Sequence, residues 1–149
     1  MNYPKLPSFR LDGKNALVTG AGRGIGMGAS IALAESGANV TLVSRTDSEL
    51  KDLTNHIISQ GHKATYFALD VNNEKDVSDL IDKSDPFDIL INNAGTNKPA
   101  KLVDTDLNDF DYVMSLNVRS VINLSKNVVA KMLNNNINCL LYTSDAADE

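Results

Sequence analysis

The sequence predicts an α/β fold built on a parallel sheet with helices on both faces, and three observations carry that prediction. Short apolar runs alternate with stretches whose apolar residues recur at helical spacing, the pattern of successive βα units. A glycine-dense turn, with Gly20, Gly22, Gly24, Gly26 and Gly28 at every other position, separates the first run from the first helical stretch. A chain that is 42% hydrophobic and 22% charged has the composition of a folded globular domain. At 149 residues a fold buries about 68–70% of the surface of its unfolded chain, enough for a core without disulfide or metal staples.

Asn15–Thr19 reads as the first strand. After the glycines, Ile25, Ala29, Ala32 and Leu33 are expected on one face of a helix that Gly37 ends. Residues 40–43 form the second strand, and Asp47 caps a helix whose stripe of Leu50, Leu53, Ile57 and Ile58 stops at Gly61. Residues 65–69 form the third strand, Asn72 caps a helix carrying Val77, Leu80 and Ile81, and residues 87–91 form the fourth strand. Past Gly95, a polar loop with Pro99 leads to a helix bearing Leu107, Phe110, Val113 and Met114. A second helical pattern follows, in which Val118, Val121, Ile122, Val128, Val129, Met132 and Leu133 cover more than one narrow stripe. That helix is expected to pack on the sheet and on something else, such as a partner subunit.

Charge and composition exclude several function classes. The net charge is −5 and the lysines are scattered, so a nucleic-acid backbone finds no basic patch. Cys139 is the sole cysteine, which excludes an internal disulfide and a cysteine-rich zinc site and suits a reducing cytoplasm. The amino terminus is polar and broken by Pro4 and Pro7, unlike a secretory leader. No apolar run approaches the roughly 18 residues of a membrane span. His56 and His62 lie far in sequence from any motif, and no metal site is expected.

The segment Thr19-Gly20-Ala21-Gly22-Arg23-Gly24-Ile25-Gly26 lies where a strand turns into a helix. There, residues without Cβ let backbone N–H groups approach a pyrophosphate, and the helix turns its partial positive end toward it. A tight turn and close packing alone would also use glycine, but five alternating glycines exceed what packing needs. Thr19, Gly20, Gly24 and Gly26 match TGxxxGxG, and the chain resembles the short-chain dehydrogenase/reductase family at this signature. Asp70 and Val71 match the family's adenine-contacting pair, Asn92-Asn93-Ala94-Gly95 its NNAG motif, and Asn117 its active-site asparagine.

The resemblance implies a Rossmann-type doubly wound sheet, here truncated after about four strands, and a hydride transfer between NADP(H) and a small-molecule carbonyl or alcohol. It implies cofactor contacts from Gly20, Arg23, Gly24, Ile25, Gly26, Ser44, Arg45, Asp70, Val71, Asn93, Ala94 and Gly95, and a catalytic role for Asn117. In the family that asparagine kinks its helix and holds a proton-relaying water. NADP is expected over NAD because Ser44-Arg45, not an acid, follows the second strand, although Asp47 could still serve a ribose. Homo-oligomers are usual in the family.

The family's Tyr-x-x-x-Lys is not found: Tyr3, Tyr66, Tyr112 and Tyr142 are followed four positions later by Pro7, Asp70, Leu116 and Ala146. The chain is therefore expected to be inactive alone. Residues 139–149 resemble the translation of a transposase adapter from sequencing libraries. On that reading residues 1–138 are an incomplete dinucleotide-binding domain and residues 139–149 a non-native tail; the competing view is a fifth strand with Ser144 at the family's serine position. A non-catalytic dinucleotide-binding protein or sensor is the alternative function. A nucleotide-sugar epimerase ranks below both, since that branch spaces its glycines TGxxGxxG.

Overall fold

The computed structural model describes residues 8–137. Four parallel strands, β1 (Asn15–Thr19), β2 (Asn39–Ser44), β3 (Lys63–Ala68) and β4 (Ile89–Ile91), lie in the order β3-β2-β1-β4. The chain runs outward from β1 to β3, then crosses back to place β4 on the other side of β1. That reversal opens a crevice beyond the carboxyl ends of β1 and β4, the topological switch point of a doubly wound sheet. The α/β, parallel, four-strand prediction is borne out.

Strand alternation sorts the core onto two faces. Ala16, Val18, Val40 and Leu42 point to one face, where they meet Ala34 of α1 (Gly24–Glu35) and Leu50, Leu53 and Ile57 of α2 (Asp47–Ser59). Leu17 and Val43 point to the other, against Val77, Leu80 and Ile81 of α3 (Glu74–Lys83) and Leu124, Val128 and Met132 of α5 (Ser120–Asn134). Between α4 (Leu107–Met114) and α5 the helix passes through a π turn, Ser115–Arg119, in which the Ser120 amide donates to the Ser115 carbonyl. The two helical patterns are thus one continuous helix with a single wide turn at Asn117.

Several local expectations need correction. Ile25 and Ala32 do not belong to the packed face of α1, Ile25 being 84% exposed; Leu33 packs there partly buried, and the fully buried residues are Gly26, Ser30 and Ala34. The helix sits so close to β1 that only its smallest residues fit, and the Ser30 hydroxyl donates to the Gly26 carbonyl. Asn73, not Asn72, caps α3, accepting from the amides of Lys75 and Asp76, while the Asn72 side-chain Oδ1 accepts from the Ser115 hydroxyl. Thr46 precedes α2 without a side-chain cap, and Asp47 is its first residue. The third strand begins two residues before the expected 65–69, with exposed Lys63, because it is an edge strand. Val118, Ile122 and Leu133 of the broad apolar helix are exposed. The tail expected at 139–149 lies outside the described residues.

Two polar clasps hold the layers in place. Lys131 donates from Nζ to the carbonyls of Ile81, Asp82 and Ser84 at 2.5, 3.1 and 2.5 Å, closing the carboxyl end of α3 with a cation. At the amino ends of β1 and β4, Asp88 accepts from Lys14 Nζ at 2.8 Å and the Asn15 amide at 2.9 Å. Burial by itself would raise the Asp88 pKa. The two hydrogen bonds and the Lys14 charge outweigh it and hold the carboxyl below its ordinary range.

A carboxylate held low in the folded state contributes stability above its unfolded pKa, lost as the pH falls through the folded value. Asp88→Asn should therefore cost about 1–3 kcal/mol in urea denaturation near pH 7. The difference from the parent should hold above the ordinary carboxylate pKa and shrink only as the pH falls through the lowered folded pKa of Asp88. Lys131→Met should cost about 1–2 kcal/mol with the same assay, from loss of the cation on three carbonyls.

Candidate functional site

The turn between β1 and α1 needs its glycines at different places for different reasons. Gly20 and Gly24 have φ of 61° and 57°, the left-handed region that side chains disfavour. A Cβ on Gly26 would strike the Gly20 carbonyl oxygen and Asn93 Nδ2, and one on Gly20 would lie 2.9 Å from the Ala94 Cα. Gly28 has nothing within 4 Å of a Cβ and belongs to the exposed side of α1.

Asn93 fastens β4 to this turn. Its Nδ2 donates to the carbonyls of Thr19 and Gly20, both at 3.1 Å. The Thr19 hydroxyl oxygen accepts from the Asn93 and Ala94 amides at 3.0 Å each and can donate to the Ile91 carbonyl. The Asn93 side chain is thus spent on the framework, leaving Ala94 and Gly95 to face the crevice. Asn117, in the π turn, accepts from the Thr96 amide at 2.9 Å and donates to the Thr96 carbonyl at 2.8 Å. It pins the loop after β4 to the helix.

A cleft of about 300 Å³ opens at the carboxyl ends of the strands. It brings together Gly20, Arg23, Ser44, Arg45, Asp70, Val71, Asn93, Ala94 and Gly95 of the expected set. Gly24, Ile25, Gly26 and Asn117 do not line it: Gly26 is buried beneath the turn, Ile25 projects outward, and Asn117 stands behind Gly95. Asp70 does not belong to the third strand. It lies two residues past β3, where its carboxylate accepts from the Asn72 amide at 2.9 Å. Asx-turn chemistry, not a strand end, sets its position.

Sequence reasoning missed Gly22, Thr46, Glu49, Leu69 and Leu116, which also line the cleft. A Cβ on Gly22 would meet the Glu49 carboxylate at 2.6 Å, so the first turn of α2 leans directly on the glycine loop. No sequence spacing signals that approach, whereas Leu116 could have been found as the neighbour of Asn117.

The residues present fit a dinucleotide. The first turn of α1 has neither a side-chain cap nor an acidic residue. By contrast, Asn73 caps α3, Asp106 caps α4, and α2 begins with Asp47 and Glu49. Amide donors at the start of α1 are thus left without a side-chain partner beside a cleft lined by Gly20 and Gly22, an arrangement complementary to a diphosphate.

A family model described as short chain dehydrogenase matches residues 14–144. The chain belongs to the short-chain dehydrogenase family. The match continues past residue 138, and the comparisons lend no support to a foreign origin for residues 139–149. Gluconate 5-dehydrogenase of Gluconobacter oxydans (strain 621H) is 37% identical over 137 residues, 89% of this chain and 53% of that protein. A crystal structure of a Burkholderia cenocepacia J2315 gluconate 5-dehydrogenase in complex with NADP and tartrate superposes with a TM-score of 0.80 at 33% identity. It covers 86% of this chain and 52% of that one. A 7α-hydroxysteroid dehydrogenase complexed with NADH and 7-oxo glycochenodeoxycholic acid gives 0.82 at 35% identity, covering 86% and 51%. The chain spans about half the length of the relatives it matches.

The glycines make a contrasting pair of tests. Gly26→Ala should lower stability by about 1–3 kcal/mol, because backbone and Asn93 must move. Gly28→Ala should raise it by about 0.5–1 kcal/mol, since the site is helical and open. Thermal unfolding followed by circular dichroism reads both.

Proposed function

We propose that the chain supplies the cofactor-binding part of an NADP(H)-dependent oxidoreductase acting on a carbonyl or alcohol, and that residues 1–138 act as its dinucleotide-binding domain. The uncapped, acid-free start of α1 beside a glycine-rich turn is the observation that carries this reading. Backbone amides of residues 20–25 hold the diphosphate, with Ile25 contributing its N–H rather than its side chain. Asp70 and Val71 bound the adenine, and Ala94 and Gly95 allow a ribose close approach. When bound, the nicotinamide supplies a hydride to a carbonyl carbon or takes one from an alcohol.

Preference for NADP follows from Arg23 and Arg45 at the cleft and from Ser44 where an NAD site would hold an acid. Glu49 is the opposing charge, and the arginines outnumber it on that side of the glycine loop. The NADP in the Burkholderia relative agrees with this choice, while the steroid dehydrogenase carries NADH. Asn117, through Thr96, sets the loop that follows Gly95, so its contribution to chemistry is the placement of that loop. Because the sequence contains no Tyr-x-x-x-Lys, the chain alone binds cofactor without turnover.

Titration with NADPH and NADH by cofactor fluorescence tests the reading. NADPH should bind more tightly, and Arg45→Ala should weaken it about tenfold or more while moving NADH by about twofold or less. Equal affinities for the two cofactors, or no effect of Arg45→Ala, would sink the NADP assignment.

A further inference from the structure

Tyr112 is joined to two cations from different parts of the chain. Its hydroxyl accepts from Arg45 Nη1 at 2.9 Å, and Lys98 Nζ stands 5.6 Å from the centre of its ring. Lys98 is in turn paired with Asp109 at 2.5 Å. The contacts connect the turn after β2, the loop after β4 and helix α4, three segments with no backbone hydrogen bond between them. Tyr112 lies four residues before Leu116, so it sits one helical turn from a residue that lines the cleft with Arg45.

Arg45 is exposed, and a free arginine side chain samples many rotamers at a cost of about 2 kcal/mol to hold one of them. The Tyr112 hydroxyl takes one of its five N–H donors and leaves four. The tyrosine ring itself packs partly buried against the core cluster that contains Leu116, Val71 and Val43, which makes the hydroxyl a fixed anchor.

We infer that Tyr112 is a positioning residue for cofactor discrimination, resting on the NADP reading above. Its hydroxyl holds the Arg45 guanidinium across the adenosine end of the cleft, with four donors free for a ribose 2′-phosphate. Tyr112→Phe keeps the packed ring and removes only the anchor. The phosphate is the sole part of the cofactor that Arg45 is prepared for, so NADH binding is indifferent to the change.

Tyr112→Phe, Arg45→Ala and the double variant, each titrated with NADPH and with NADH, form the test. Tyr112→Phe should weaken NADPH about three- to tenfold and change NADH by no more than about twofold, the size of one hydrogen bond to a charged group. The double variant should bind NADPH no more weakly than Arg45→Ala alone, because the two residues act as one device. Equal weakening of both cofactors, an unchanged NADPH affinity in Tyr112→Phe, or losses that add in the double variant would each overturn the inference. Should Arg45→Ala itself leave NADPH binding unchanged, the NADP reading fails and this inference falls with it. Arg45→Ala active and Tyr112→Phe silent would remove the inference alone.

Discussion

The close contact of three backbones at the end of β1 governs the rest of the molecule. Thr19 and Gly20 meet Asn93 and Ala94 of the segment after β4, and Gly26 of α1 lies on the same carbonyl that Asn93 grips. Each partner must be small or polar in a particular way. Gly20 and Gly26 remove the Cβ atoms that would separate the chains, and Asn93 provides two donors to carbonyls that the sheet leaves unpaired. The crevice at the switch point follows from this junction, since the strand ends diverge from a fixed point.

Electrostatics then distinguish the helix starts. Every helix exposes unpaired amides at its beginning, and α3 and α4 answer them with Asn73 and Asp106. At α1 no side chain answers them, and the cationic residues Arg23 and Arg45 line the adjoining cleft. An anion bound there completes hydrogen bonding that the chain itself omits. The polar clasps at Asp88 and Lys131 lie away from this end and bear on stability alone.

Much of this was legible in the sequence wherever hydrophobicity itself did the packing. Of the stripes read as buried faces, Leu50, Leu53 and Ile57 and Val77, Leu80 and Ile81 are buried, while Ile58 at the edge of the first is exposed. The reading failed where small residues did that work: the inner face of α1 is Gly26, Ser30 and Ala34, which carry little apolar signal, while the conspicuous Ile25 faces outward. The cap of α3 shifted by one because Asn72 and Asn73 are chemically equal in sequence, and only the helix geometry chooses between them. Glu49 at the glycine loop, Lys131 on α3 and Tyr112 on Arg45 are tertiary meetings between segments 27 or more residues apart, which no local pattern encodes. For Asn117, the family resemblance implied a kinked helix, and the wide turn lies there.

The wide turn also fixes the phase of the helix that follows it. One residue beyond the usual turn rotates everything downstream by roughly 100° about the axis. Leu124, Val128 and Met132 reach the interior only with that offset, while Tyr112 keeps its own bearing upstream. A one-residue deletion inside Ser115–Arg119 would therefore act on positions up to four turns away. The chain's tolerance of length changes here is set by angular bookkeeping, not by which side chain is lost.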